Sequence, residues 1–131
     1  MFNRKKQPPI KSLIAYGTLI IGNITFAEGL RIDGEVTGNL VAGEGHSSIL
    51  VISETAKITG EIHADHVIIN GSVVGPIHAR ELLELQPKAQ IDGDVHYRAL
   101  EMHQGATIAG QLRPMLLSED KPQLTLASSN A

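Results

Sequence analysis

Six histidines and fourteen carboxylates are the side chains here whose types could do chemistry, and three of the histidines recur in a pattern. His63 follows Ile62 in Ile62-His63-Ala64, His78 follows Ile77 in Ile77-His78-Ala79, and His96 follows Val95. A glycine stands two residues before each of those aliphatics, at Gly60, Gly75 and Gly93. Imidazole is both a proton shuttle and a common metal ligand. Carboxylates gather near such glycines as well: Asp33, Glu35, Glu61, Asp92 and Asp94 could pair as the acid and base of a hydrolase.

Which of these chemistries is open depends on the elements that hold the residues. Aligned on aliphatic-x-Gly-x-aliphatic, the chain shows five copies: Ile32 to Val36, Ile58 to Ile62, Val73 to Ile77, Ile91 to Val95 and Ile108 to Leu112. Their glycines, Gly34, Gly60, Gly75, Gly93 and Gly110, lie 26, 15, 18 and 17 residues apart. Two further apolar columns precede them, Ile24, Leu50, Val67, Leu83 and Leu100, then Phe26, Ile52, Ile69, Leu85 and Met102. Apolar residues alternate in short bursts, which is the period of a strand broken by corners. About three strands in each copy make one coil of a parallel β-solenoid of five to six coils. Ile58, Ile62, Ile69, Val73, Ile91 and Val95 are expected inside. The third copy lacks two residues at a turn, and the 26-residue gap holds an insertion of about eight residues within 38–48.

In this register His63, His78 and His96 share a column with Thr37 and Arg113, while His66 and His103 lie on others and His46 falls in the insertion. Coils stack about 4.8 Å apart, so the imidazoles form an exposed ladder. Rings in a straight line do not converge readily on one ion, and no carboxylate column is expected two residues away on the same face. The ladder therefore reads as a polar row mirroring the apolar one. The acids read as outward corner residues, off any cleft, that discourage sideways strand pairing. No nucleophile elbow, phosphate-binding loop or dinucleotide fingerprint is present in the sequence. No catalytic residue, metal or cofactor is expected.

Composition bounds the remaining classes. Two Phe, two Tyr and no Trp leave the interior to Ile, Leu, Val and Ala, and the lack of cysteine excludes disulfides and thiolate sites. No apolar run approaches the roughly 20 residues of a membrane span, nor is there a secretory h-region. Arg4, Lys5, Lys6 and Lys11 precede every acid, so the remainder, with seven cations against fourteen carboxylates, is net −7. Such a body is a poor nucleic-acid surface.

The glycine-bearing segments resemble the bactofilins, bacterial cytoskeletal proteins. The resemblance covers about 17–114: Gly17-Thr-Leu-Ile-Ile-Gly22, Leu30-Arg-Ile-Asp-Gly-Glu-Val36, Val67-Ile-Ile-Asn-Gly-Ser-Val-Val-Gly75, Ala89-Gln-Ile-Asp-Gly-Asp-Val95 and Gly105-Ala-Thr-Ile-Ala-Gly110. It implies an all-β, single-domain, right-handed β-helix that assembles end to end into nucleotide-independent, apolar filaments and scaffolds cell-shape or envelope-synthesis machinery. The partners so implied are further copies of the chain, anionic membrane lipids, and envelope or peptidoglycan-modifying proteins. Met1, Phe2, Arg4, Lys5 and Lys6 are similar to the family's membrane-targeting peptide, and their physics agrees: an apolar tip enters the lipid interface while cations face the headgroups. The resulting division is a basic arm over 1–17, a β-helix over 18–114, and a flexible tail over 115–131. The location implied is cytoplasmic, on the inner face of the bacterial inner membrane. An acyltransferase-like left-handed solenoid is the alternative, but it needs a strict six-residue beat.

A solenoid without caps exposes an apolar layer at each end. No amphipathic capping helix is legible at either end, so Ile20, Ile24 and Phe26 in the first coil and Met102, Ile108 and Leu112 in the last are the expected polymerisation residues.

Overall fold

The computed structural model describes residues 8–115, and among these the chain is β throughout, with no helix long and apolar enough to cross a membrane. The strands fall into three columns, one for each face of a solenoid of about six coils. The first face carries β1 (Ile10–Ile14), β4 (Gly29–Ile32), β7 (Ile49–Ile52) and the second halves of β9 (Ile62–Ile69), β11 (Ile77–Leu85) and β13 (Val95–Met102). The second carries β2 (Leu19–Ile21), β5 (Glu35–Thr37), β8 (Lys57–Thr59), β10 (Ser72–Val74), β12 (Gln90–Asp92) and β14 (Thr107–Ala109). The third carries β3 (Ile24–Phe26), β6 (Leu40–Ala42), the first halves of β9, β11 and β13, and β15 (Leu112–Pro114). Every pairing is parallel, and side chains stack on their counterparts one coil away except where the register shifts, between Ile10 and Ser12 in β1 and between Ala79 and Leu82 in β11.

Alternation along each strand sends one set of side chains inward, and stacking joins them into apolar columns. Ile32, Ile52, Ile69 and Leu85 form one, Val36, Ile58, Val73 and Ile91 a second, and Leu40, Ile62, Ile77 and Val95 a third; all are buried. The six residues expected inside from the sequence are among them.

The register of the first copy differs from the sequence reading. Ile32 pairs with Ile52 and Leu30 with Leu50, whereas Ile24 and Phe26 pair with Leu40 and Ala42 on the third face. Ile24 and Phe26 therefore do not belong with Leu50 and Ile52. The corner glycines that stack are Gly22, Gly38, Gly60, Gly75, Gly93 and Gly110, and all but the last have φ between +138° and +152°. A Cβ on Gly38, Gly60, Gly75, Gly93 or Gly110 would run into the carbonyl of the glycine one coil earlier. Gly34 sits at a different corner, where a Cβ would meet the carbonyls of Thr18 and Ala15. Gly71 is its counterpart two coils on, facing Ser53 and Ala56. Two glycine columns thus exist where one was inferred. The insertion occupies only 43–48, between β6 and β7, and buried Ser48 staples it down: its N–H and hydroxyl donate to Asp65 Oδ2 at 3.0 and 3.3 Å, and its Oγ accepts the Asp65 N–H at 3.0 Å.

The body also starts earlier than residue 18. β1 pairs with β4 over Ile10 to Ile14, so part of the segment assigned to a flexible arm is a strand of the first coil. Met1, Phe2, Arg4, Lys5 and Lys6, and the tail beyond Met115, lie outside the described residues.

Candidate assembly ends and the histidine ladder

The three apolar columns run to both ends of the solenoid without a cover among the described residues. Ile14, Ile20 and Ile24 continue them in the first coil, and Met102, Ile108 and Leu112 in the last. The contrast in burial is large: Leu85 and Val95 are 0% exposed, while Met102 and Leu112, one coil further on, are 46% and 50% exposed. Ile20, Ile24, Phe26 and Ile108 are only partly buried, packed on the core from one side. All six residues named from the sequence therefore sit in the terminal coils, though Phe26 and Met102 occupy different columns from each other.

A second feature of the first coil was not legible in the sequence. Leu13, Tyr16, Leu19 and Ile21 are exposed around one corner, outside the columns. They occupy outward positions, paired with Arg31, Glu35 and Thr37 in the next coil where strands carry them. The correct outward register would have been the signal, and it was masked by the misassigned first copy.

On the third face His63, His78 and His96 stack with ring centroids 4.3 Å apart and planes within 6° and 11° of parallel. Their column continues through Thr25 and Val41 on one side and Arg113 on the other. Thr37, expected in this column, instead pairs with Ile21 and Thr59 on the second face. No unbroken carboxylate column accompanies the ladder, since Pro76 stands two residues before His78, but one acid does reach it: Glu61, two residues before His63, has Oε1 3.0 Å from His63 Nε2. That hydrogen bond, with the charges of His63 and His78 behind it, holds the Glu61 carboxyl below its ordinary pKa. Asp94, two residues before His96, is lowered by the Gln111 N–H and then by Arg113, to which it lies 2.9 and 3.1 Å away.

A repeated device explains these acids. The residue after three of the stacked corner glycines caps the next coil: Asn23 Oδ1 accepts the Asn39 N–H, Asn39 Oδ1 accepts the Glu61 N–H, and Asp94 Oδ1 accepts the Gln111 N–H, each at 2.9 Å. These are structural bonds, not catalytic ones. Asp33 and Glu35 line a shallow hollow of about 220 Å³ beside Tyr16 and Thr55, so these two do border a concavity. Asp33 is held there by Arg31 at 2.9 Å, and no His, Lys or Cys is among the residues that line the hollow.

A protein-family model described as bactofilin, polymer-forming cytoskeletal, matches residues 12–113. The chain belongs to the bactofilin family. It is a polymer-forming cytoskeletal protein, and self-association is its business; the family is structural and not enzymatic, which sets aside the acyltransferase alternative. Among curated relatives, bactofilin BacP of Myxococcus xanthus is 27% identical over 101 residues, a match spanning 77% of this chain and 40% of BacP. Bactofilin BacO of the same organism is 26% identical over 111 residues, spanning 85% of each. No solved structure matches the chain.

Proposed function

We propose that this bactofilin polymerises by coaxial, end-to-end contact of its terminal coils, without nucleotide, and that the filament scaffolds envelope or cell-shape machinery in the cytoplasm at the inner membrane. One observation carries the reading: the same apolar columns that are fully covered in the middle coils are only partly covered at both ends. Open strands at those ends also leave a row of backbone N–H and C=O groups for another copy to pair. Membrane contact is assigned to Met1, Phe2, Arg4, Lys5 and Lys6, each cation contributing about 1 kcal/mol near an anionic surface. One such arm binds weakly, and a filament displaying many gains by avidity.

Electron microscopy and sedimentation of the full chain in nucleotide-free buffer test the assembly. Filaments are expected; monomers at all concentrations would overturn it. Deleting 1–6 is expected to abolish co-sedimentation with anionic liposomes and to leave filaments unchanged. Equal liposome binding by the shortened chain would remove the arm from the proposal.

A further inference from the structure

Glu61 is the one acid in the capping column with nothing to cap. The residue above it is Pro76, which has no N–H. Asn39 below it and Asp94 above it both spend an oxygen on the next coil's amide, whereas the Glu61 carboxylate turns sideways to His63. The neighbouring ring is His78, stacked on His63 at 4.3 Å. One ligand atom from each of Glu61, His63 and His78 lies within 4.8 Å of the other two.

We propose that Glu61, His63 and His78 form a surface site for a divalent transition-metal ion of the Zn²⁺ class. The donor set is two imidazole nitrogens and one carboxylate oxygen, which suits Zn²⁺ over Mg²⁺ or Ca²⁺, since those ions favour oxygen ligands alone. Zinc bonds of about 2.0–2.2 Å place the ligand atoms of a tetrahedral ion roughly 3.3 Å apart. The Glu61 to His63 separation of 3.0 Å is close to that already. Parallel rings do not aim their lone pairs at one point, so His78 must turn out of the stack to complete the site. Its ring is only partly buried and sits on the outward side of the sheet. Water completes the coordination from the solvent side.

Another grouping, Glu84, Glu101 and His103, also brings three ligand atoms within 4.8 Å. It has one imidazole against two carboxylates, and His103 lies 3.2 Å from Glu84. It is the built-in control. The proposed ions bind outside the apolar columns and the terminal coils, so the site is independent of the assembly reading above.

The test is isothermal titration of the full chain with Zn²⁺ at pH 7.5, beside His63→Ala, His78→Ala, Glu61→Gln and His103→Ala. Circular dichroism of each variant confirms that it is folded. One saturable site per chain is expected, weakened at least tenfold by His63→Ala and by His78→Ala, several-fold by Glu61→Gln, and unchanged by His103→Ala. A further variant, Pro76→Ala, restores an N–H above Glu61 and is expected to weaken binding by drawing the carboxylate back to capping. No saturable binding, or loss of binding in His103→Ala with the other variants unaffected, would overturn the proposal.

Discussion

His78 sits between two other imidazoles on a half-covered face, and its burial, then the neighbouring His63 and His96, lower its pKa from the ordinary 6.5. The unfolded chain, free of those neighbours, takes up that proton more readily than the fold does. Unfolded protein therefore binds more protons in the window just below pH 6.5, and stability must fall as pH falls through it. With a chelator present, urea midpoints are expected to drop between pH 7 and pH 5, and His78→Ala is expected to flatten that part of the profile. An unchanged slope in the variant would show that the ladder does not carry the effect. Asp94, whose pKa is lowered from 3.8 by the Gln111 N–H and Arg113, contributes a loss of the same sign in a separate window below pH 4. None of these residues touches a terminal coil's apolar layer, so His63→Ala, His78→Ala and His96→Ala together are expected to leave filaments intact under the microscope.

At the scale of the coil, the stacked glycines set a condition that can be measured one corner at a time. In the middle of the solenoid Gly60 faces the Gly38 carbonyl at φ +151°, with no room for a Cβ, whereas Gly22 has φ +138° and nothing within 4 Å of the position. Gly22→Ala meets backbone strain alone, about 1–2 kcal/mol. Gly60→Ala adds a clash that the coil cannot relax around, and about 3–5 kcal/mol is expected. Denaturant midpoints of the two variants, measured below the concentration of assembly, check the difference; equal losses would mean that strain and not stacking governs the corner. The same corners explain what the sequence disclosed. Period-two bursts and the spacings of Gly60, Gly75, Gly93 and Gly110 made the solenoid and its core columns readable, because inward residues must be apolar in every coil. The first copy misled because Ile32-Asp33-Gly34-Glu35-Val36 repeats Ile91-Asp92-Gly93-Asp94-Val95 almost letter for letter while turning a different corner. Ile32 reaches Val36 across a short corner, as Ile69 reaches Val73, while the corner between these, from Ile52 to Ile58, is two residues longer. A linear pattern carries no mark of which corner a glycine serves. For the same reason Glu61 was missed beside His63: its release depends on Pro76 in the next coil, 15 residues away in sequence.

The described residues form a column of similar layers, and the two outermost of these have a neighbour on one side only. Covering four or five aliphatic side chains at such an end, at about 1.5–3 kcal/mol each, yields roughly 6–15 kcal/mol. Association itself costs about 4–15 kcal/mol in lost freedom and ordering. Gain and cost are of one size, so a single uncompensated charge in the contact is enough to reverse the balance, whereas the interior coils, each covered on both sides, are stable against it. Ile108→Lys and Leu112→Lys in the last coil, and Ile24→Lys in the first, place an ammonium on the layer that another copy would cover; at these partly exposed positions the long side chain reaches water in the monomer. Folded monomers or short oligomers are expected from each, with the β-type circular dichroism spectrum retained and the sedimenting fraction reduced at least tenfold at a concentration where the unaltered chain forms filaments. Lys placed at Val74, an exposed position on the second face of a middle coil, adds the same charge away from either end and is expected to leave filaments long. If the three end-coil variants sediment as the unaltered chain does while Val74→Lys does not, the copies meet side by side across the second face and coaxial stacking is wrong.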